Sequence, residues 1–187
     1  PSRLKTFSVG FREAQFDESG YARLLAEKYR TDHHELILSE SDAAKAAWKI
    51  STQMDEPLAD ASTIPTFCLA KFARREVKVV LTGEGGDELF AGYPWHAEAG
   101  KTLRKDLSPF PPGRTVFSAE LKKVFYSGDL QRKLKNRSPF SFSHGHEISE
   151  RSLKARDPVQ RELYLDLHTY LPSDLLVKID RMTMLQS

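Results

Sequence analysis

Short apolar runs alternate with amphipathic stretches along the first hundred residues of this chain. LKTFSVGF and HHELIL have the length and residue types of strands, whereas FDESGYARLLAEKY, SDAAKAAWKI and STIPTFCLAKFARRE have helical spacing. A further run, VKVVLTG, is predicted to be a buried strand that leads directly into glycines. Strands joined by helices need crossover connections, so the pattern predicts an α/β fold with a parallel sheet flanked by helices.

Helix starts and core positions can be predicted within these stretches. Asp17 or Ser19 is expected to cap the first helix, and Ser41 or Asp42 to begin the second. Apolar side chains repeat on one face of the first helix, and these are Tyr21, Leu24, Leu25 and Tyr29. The residues expected in the core are Tyr21, Trp48, Phe67 and Cys68.

Charge divides the chain into three parts. Residues 1–100 carry 12 basic and 16 acidic side chains, residues 101–156 carry 13 and 5, and residues 157–187 carry 3 and 5. We interpret 101–156, which also holds four prolines, as an irregular basic insertion or flexible segment. Residues 157–187 have helical periodicity, with Pro172 expected to break it and Ser173 or Asp174 expected to cap the following segment.

Composition excludes several classes of protein. The 187 residues are 40% hydrophobic and 29% charged with a net charge of +2, which favours a globular domain and gives no reason to expect nucleic acid or a membrane as a partner. No apolar run approaches the roughly 20 residues of a membrane span. A single cysteine cannot form an internal disulfide, so a cytoplasmic location is the default expectation.

The segment LTGEGGDELFAGY, residues 81–93, is the most informative part of the sequence. Residues 83–88 place three glycines and three carboxylates directly after the predicted strand VKVVLTG. Small residues in such a turn let backbone N–H groups approach a phosphate. Because Glu84, Asp87 and Glu88 would repel a triphosphate, a nucleotide here requires a divalent cation, and oxygen ligands suit Mg²⁺. The alternative is a helix N-terminus whose acidic residues complement the dipole and whose glycines only turn the chain.

TGEGGDELFAGY resembles the signature of the synthetase domain of asparagine synthetases and related ATP-dependent amidotransferases. Further blocks resemble the same domain in the same order: TFSVGF, FDESGYARLLAEKYRTDHHE, MDEPLADASTIPTFCLAKFAR and DLLVKIDRMTM. The resemblance covers nearly the whole chain except 101–156, and it implies an adenine nucleotide α hydrolase-like fold. It makes residues 1–100 the nucleotide-binding part and 157–187 a helical part of one synthetase domain.

The resemblance implies a two-step reaction that uses ATP and Mg²⁺. A substrate carboxylate, typically that of aspartate, is activated as an acyl-adenylate, and ammonia released from glutamine then attacks it. The acceptor stays open because related enzymes amidate sugars or peptides, or close β-lactam rings. A catalytically silent nucleotide-binding or interaction domain is the alternative. A homodimer is also left open.

Two parts of the family pattern have no counterpart in this sequence, namely the S-G-G-x-D-S phosphate loop and the glutaminase domain. The chain therefore resembles an internal piece of a longer enzyme, and we expect weak or no synthetase activity from it alone.

The resemblance also implies roles for individual residues. Glu84 matches a general base or positioning group near the adenylate, Asp87 matches a magnesium ligand, and Glu88 is expected to support the site or cap the helix. The residues expected to hold the nucleotide are Val9, Thr82 and Gly83, with Val9 near the adenine.

Two basic residues, Lys178 and Arg181, match family positions that contact phosphate or the acidic cluster. An ion pair with Asp174 or Asp180 is an equally acceptable role for them.

Other polar residues favour structural roles. Adjacent strand residues point to opposite faces, so His33 and His34 are expected to pack and hydrogen-bond rather than share a metal. Asp55 and Glu56 are expected either to line the acceptor pocket or to cap a turn. The residues expected to cap the next helix are Ser62 and Thr63.

Overall fold

The computed structural model describes residues 3–58, 60–99, 101, 121, 124–134 and 157–187. The chain folds into two compact units. Unit 1 comprises Pro1–Thr82 with Leu176–Ser187, and unit 2 comprises Gly83–Leu175. The predicted α/β class is confirmed by a parallel sheet with flanking helices in unit 1. In the described part of the chain no helix is both long and apolar enough to cross a membrane.

The sheet of unit 1 has two described strands, β1 (Lys5–Phe11) and β2 (Asp32–Leu38), which pair in parallel along their full length. Helix α1 (Ser19–Tyr29) makes the crossover between them. His33 hydrogen-bonds with Thr6 and Ser8 at 2.9 and 3.2 Å, whereas His34 stacks on Phe7. The two histidines therefore serve opposite faces of the sheet in packing and hydrogen bonding, as expected.

The core of unit 1 is formed by helices α2 (Glu40–Gln53), α3 (Thr63–Ala73) and α8 (Leu176–Met184). Each contributes one buried residue to a hydrophobic cluster, and these are Ala46, Phe67 and Met182. Cys68 is half-buried and packs against this cluster, so the expected core roles of Phe67 and Cys68 are confirmed. Burial of each large apolar side chain contributes about 1.5–3 kcal/mol.

Short side chains fix the helix starts in unit 1. The N-cap residue of α1 is Glu18, not Asp17 or Ser19, and its side chain makes no capping bond. Asp17 Oδ1 accepts the backbone N–H groups of Ser19 and Phe11, both at 3.2 Å, so Asp17 ties the start of α1 to the end of β1. Helix α2 begins slightly earlier than predicted, because Ser39 is its N-cap and accepts the backbone N–H of Asp42 at 3.2 Å. Ser62 is the N-cap residue of α3, but its side chain makes no capping bond to the helix.

The apolar face of α1 is directed outward, so the expected core position of Tyr21 is wrong. Small side chains face the sheet instead: Ser19 is 1% exposed, and Ala22 and Ala26 are half-buried. The apolar residues left exposed are Tyr21, Leu24, Leu25 and Tyr29. Trp48 on α2 is also exposed, at 74%, because Ala46 occupies the buried face of that helix.

The predicted strand VKVVLTG is also wrong. Residues 77–82 have no strand structure, and Val79, Val80 and Leu81 are 82%, 43% and 100% exposed. A strand is stabilised by ladder hydrogen bonds to a neighbour. Within the described residues β1 and β2 pair only with each other, so residues 77–82 form no ladder with either strand there.

Unit 2 is helical in its described parts, with helices α4 (Gly86–Phe90), α5 (Pro94–Ala99), α6 (Gly128–Leu134) and α7 (Pro158–His168). Asp157 caps α7 by accepting the backbone N–H of Val159 at 2.7 Å. Helix α6 has no buried residue and lies within the segment predicted to be irregular, most of which is outside the described residues.

The helical periodicity changes at Pro172, as predicted, because a π-helical segment, Leu171–Leu175, follows α7. Ser173 and Asp174 lie inside this segment and not at a helix start, so their predicted capping role is wrong. The wider π turn runs directly into α8 and leaves no separate N-cap position there.

Candidate functional site

The acidic loop of residues 83–93 begins with a tight turn in unit 2. The backbone N–H of Gly86 donates to the carbonyl of Gly83 at 3.0 Å. Gly85 has φ of 95°, in the left-handed region that glycine adopts without strain. The glycines therefore turn the chain sharply just before α4 begins.

This turn separates the three carboxylates by burial. Glu84 is half-buried, Asp87 is exposed, and Glu88 is 1% exposed. Asp87 and Glu88 are consecutive on α4 and so point in different directions. Among the described residues no group of three or more Asp, Glu, His or Cys side chains is arranged to hold a metal ion. Asp87 is therefore the carboxylate of α4 that is accessible to a ligand.

The buried side chain of Glu88 hydrogen-bonds to Tyr93 at the end of the acidic loop. Its Oε1 accepts the hydroxyl hydrogen of Tyr93 at 2.5 Å, and the Tyr93 ring stacks on Trp95 with centroids 4.0 Å apart. Burial, and then the hydrogen bond to Glu88, raise the pKa of Tyr93 far above its ordinary value. Tyr93 therefore stays a protonated donor to the buried carboxylate of Glu88.

A buried polar pair joins α5 to α7. His96 Nε2 lies 2.9 Å from Asp166 Oδ2, and Trp95 Nε1 donates to the same oxygen at 3.1 Å. His96 is 0% and Asp166 1% exposed. Removing one partner of such a buried pair is strongly destabilising, so the packing of α5 against α7 depends on both side chains being present.

In unit 1, Lys178 of α8 is fixed at the start of α3. Its Nζ donates to Asp60 Oδ2 at 3.0 Å and to Ser62 Oγ at 2.7 Å, and its side chain is 4% exposed. Burial alone would raise the pKa of Asp60, but hydrogen bonds from Ser62 and Lys178 outweigh it and the pKa lies below its ordinary value. Lys178 is thus a buried cation with a carboxylate partner.

Arg181, one turn further along α8, faces the acidic turn before Pro57. Its Nη1 donates to Asp55 Oδ1 at 3.0 Å, and its Nη2 lies 3.8 Å from Glu56 Oε2. Both carboxylates are largely exposed, so these pairs contribute little stability. Both basic residues form ion pairs, but the partners shown, Asp60 for Lys178 and Asp55 and Glu56 for Arg181, differ from the local partners Asp174 and Asp180 that the sequence suggested.

The predicted site residues are divided between the units. Unit 1 contains Val9, half-buried in β1, exposed Thr82, Lys178 and Arg181. Unit 2 contains Gly83, Glu84 and Asp87. Sequence reasoning missed the contacts of Lys178 with Asp60 and of His96 with Asp166, which join residues 118 and 70 positions apart and leave no local pattern.

The residues present fit a magnesium ion shared with a nucleotide. Mg²⁺ keeps several waters and is commonly held by one or two carboxylates together with phosphate oxygens. An exposed carboxylate beside a glycine turn, as at Asp87, can supply such a ligand without a complete cage of protein groups.

The whole chain, residues 1–187, matches the family model described as asparagine synthase. Asparagine synthetase (glutamine-hydrolysing) 1 of Bacillus subtilis is 30% identical over 216 residues, covering 98% of this chain and 33% of the relative. A Mycobacterium tuberculosis protein, provisionally named a glutamine-hydrolysing asparagine synthetase, is 32% identical over 212 residues, covering 99% and 32%. Amidase chry2 of Gibberella zeae is 25% identical over 220 residues, covering 94% and 33%. The chain spans about a third of the length of these relatives.

Proposed function

The chain belongs to the asparagine synthase family, and we propose that it is part of the synthetase domain of an enzyme that forms an amide at the expense of ATP. The observation that carries this proposal is the acidic loop: a left-handed Gly85 turn leaves Asp87 exposed while Glu88 is buried against Tyr93.

The reaction that fits this loop has two steps. In the first, an oxygen of the substrate carboxylate bonds to the α-phosphorus of ATP, and the bond to pyrophosphate breaks. In the second, ammonia adds to the acyl carbon, loses a proton and displaces AMP. Bound Mg²⁺ supplies charge neutralisation for the pyrophosphate. Asp87 would hold that ion, and half-buried Glu84 would accept the proton from the incoming nitrogen.

The two basic residues of unit 1, Lys178 and Arg181, are proposed to contact phosphate. Asp60 and Ser62 fix the ammonium of Lys178, which supports a role as a prepositioned cation toward phosphate. Arg181 is proposed as a second phosphate contact that exchanges its exposed partner Asp55 for the ligand. The residues proposed to line the nucleotide are Val9, Thr82 and Gly83.

The proposed partners are aspartate or another carboxylate and ammonia from a glutaminase domain of the complete enzyme. We propose that the complete enzyme is located in the cytoplasm and forms a homodimer. Because the chain spans about a third of its relatives, it is expected to form little or no AMP from ATP and aspartate by itself. Substantial AMP formation by the isolated chain would contradict this last expectation.

The proposal is tested in the complete polypeptide by comparing ATP–pyrophosphate exchange with amide formation. Asp87→Asn should slow exchange by about a hundredfold or more, because the leaving pyrophosphate loses its metal. Glu84→Gln should slow amide formation by a similar factor while exchange persists. Glu27→Gln, an exposed site on α1, is the matched control and should leave both rates unchanged. Wild-type rates of both reactions in both loop variants would disprove the assignment.

A further inference from the structure

The acidic loop closes back on itself at Gly92. Helix α4 ends at Ala91, which has φ of 60°, and the backbone N–H of Gly92 donates to the carbonyl of Asp87 at 3.1 Å. This fold-back places the backbone of residue 92 directly against the residue that carries the exposed carboxylate.

Gly92 is needed there because of the Asp87 side chain. A Cβ atom added at position 92 would overlap Asp87 Oδ1 and lie 2.8 Å from Asp87 Cγ. Gly92 does not have a positive φ, so its backbone conformation is open to any L residue. The steric requirement for glycine therefore comes mainly from the carboxylate, and the Asp87 Cα, at 3.2 Å, is the next closest atom.

A second contact keeps this arrangement rigid. Glu88, the residue after Asp87, accepts the hydroxyl hydrogen of Tyr93, the residue after Gly92. Glu88 is 1% exposed and Tyr93 stacks on Trp95, so the Glu88–Tyr93 hydrogen bond lies in the interior of unit 2. These two hydrogen bonds hold residues 92 and 93 against residues 87 and 88.

We propose that Gly92 is a positioning residue that sets the direction of the Asp87 carboxylate toward a divalent cation, with the Glu88–Tyr93 hydrogen bond holding Gly92 in place. This inference rests on the proposed function, in which Asp87 holds Mg²⁺. A misdirected ligand weakens metal binding without removing the ligand, and loss of a supporting group typically costs 10–100-fold in metal affinity.

The first test measures the Mg²⁺ concentration that gives half-maximal ATP–pyrophosphate exchange in the complete polypeptide. Gly92→Ala should raise this concentration about tenfold or more, and excess Mg²⁺ should restore most of the rate. Gly20→Ala, which adds the same methyl group into open space on α1, should leave it unchanged. An unchanged Mg²⁺ requirement in Gly92→Ala, while Asp87→Asn abolishes exchange, would overturn the inference and leave the proposed function standing.

The second test needs no activity. Gly92→Ala alone should lower the Tm of the protein by several degrees, whereas the same change in an Asp87→Ala background should lower it much less, because Oδ1 and Cγ are gone and only the Asp87 Cα, at 3.2 Å, remains close. Restoration of folding by Asp87→Ala would support the inference even if Gly92→Ala alone fails to fold. An equal loss of Tm in both backgrounds, or failure of the double variant to fold, would overturn it. Wild-type exchange by Asp87→Asn would refute the proposed function separately.

Discussion

Unit 1 and unit 2 hold their candidate site residues in different ways. In unit 2 the glycine turn, Asp87 and the Glu88–Tyr93 hydrogen bond all lie within residues 83–93, so the loop is organised by local geometry. In unit 1 the buried ammonium of Lys178 is held by Asp60, a residue 118 positions away. A local site can be altered one residue at a time, whereas a distant ion pair depends on the packing of two helices, α3 and α8.

The largest effect is expected where unit 2 itself depends on a distant pair. Asp166→Leu removes the buried carboxylate oxygen that His96 and Trp95 share, and should lower the free energy of unfolding by about 3–5 kcal/mol. Asp129→Asn breaks an exposed pair with Lys133 on α6 and should cost less than about 1 kcal/mol. Urea denaturation measures both. A loss for Asp166→Leu as small as that of the control would show that unit 2 is organised locally throughout.

The next largest loss of stability is expected at the ion pair between Lys178 and Asp60 in unit 1. Asp60→Ala removes the carboxylate that accepts from the buried ammonium of Lys178 at 3.0 Å and should cost about 2–3 kcal/mol. Asp55→Ala, five residues earlier, removes only an exposed partner of Arg181 and should cost less than about 0.5 kcal/mol. Chemical denaturation of the two variants side by side measures both losses of unfolding free energy. Equal losses would show that the buried pair of Lys178 contributes no more stability than the exposed pair of Arg181.

A smaller effect is expected from the local turn. Gly85→Ala forces an alanine into a positive φ and should cost about 1–2 kcal/mol. Gly86→Ala adds a methyl group into open space at the start of α4 and should be neutral or slightly stabilising. Thermal unfolding compares them. If the two changes lowered Tm equally, the left-handed turn at Gly85 would not be what shapes the loop.

The smallest effect is expected from the pH dependence of the stability that Asp60 contributes. Because the folded pKa of Asp60 is lowered, its contribution to stability is fully present above its unfolded pKa, near 3.8, and is lost as pH falls through the lower folded value. The stability difference between wild type and Asp60→Asn should therefore shrink as pH falls through this acid range. Denaturation at a series of pH values measures it, and a difference that grows toward acid pH would reverse the assigned sign.

Local sequence patterns predicted most of the elements. Strands β1 and β2 and helices α1, α2 and α3 lie where periodicity placed them, because this signal acts over a few neighbouring residues. The predicted caps were less accurate, since Ser39 and not Ser41 or Asp42 caps α2. The glycine turn was predictable because glycine adopts a left-handed φ without strain.

Other features depend on what a segment packs against. Periodicity shows that α1 has an apolar face but not that Ser19 and two alanines would face the sheet. The apolar content of residues 77–82 predicts a strand only if this segment pairs with a neighbouring strand. The partner of Lys178 could not be predicted, because no local spacing connects it to Asp60.

Binding of Mn²⁺ in the presence of ATP, followed by electron paramagnetic resonance of the complete polypeptide, is the most direct measurement of whether Asp87 holds a cation against a nucleotide. Asp87→Asn should weaken Mn²⁺ binding about tenfold or more, while Glu27→Gln should bind it like wild type. Equal Mn²⁺ affinity in wild type and Asp87→Asn would contradict the role of the acidic loop.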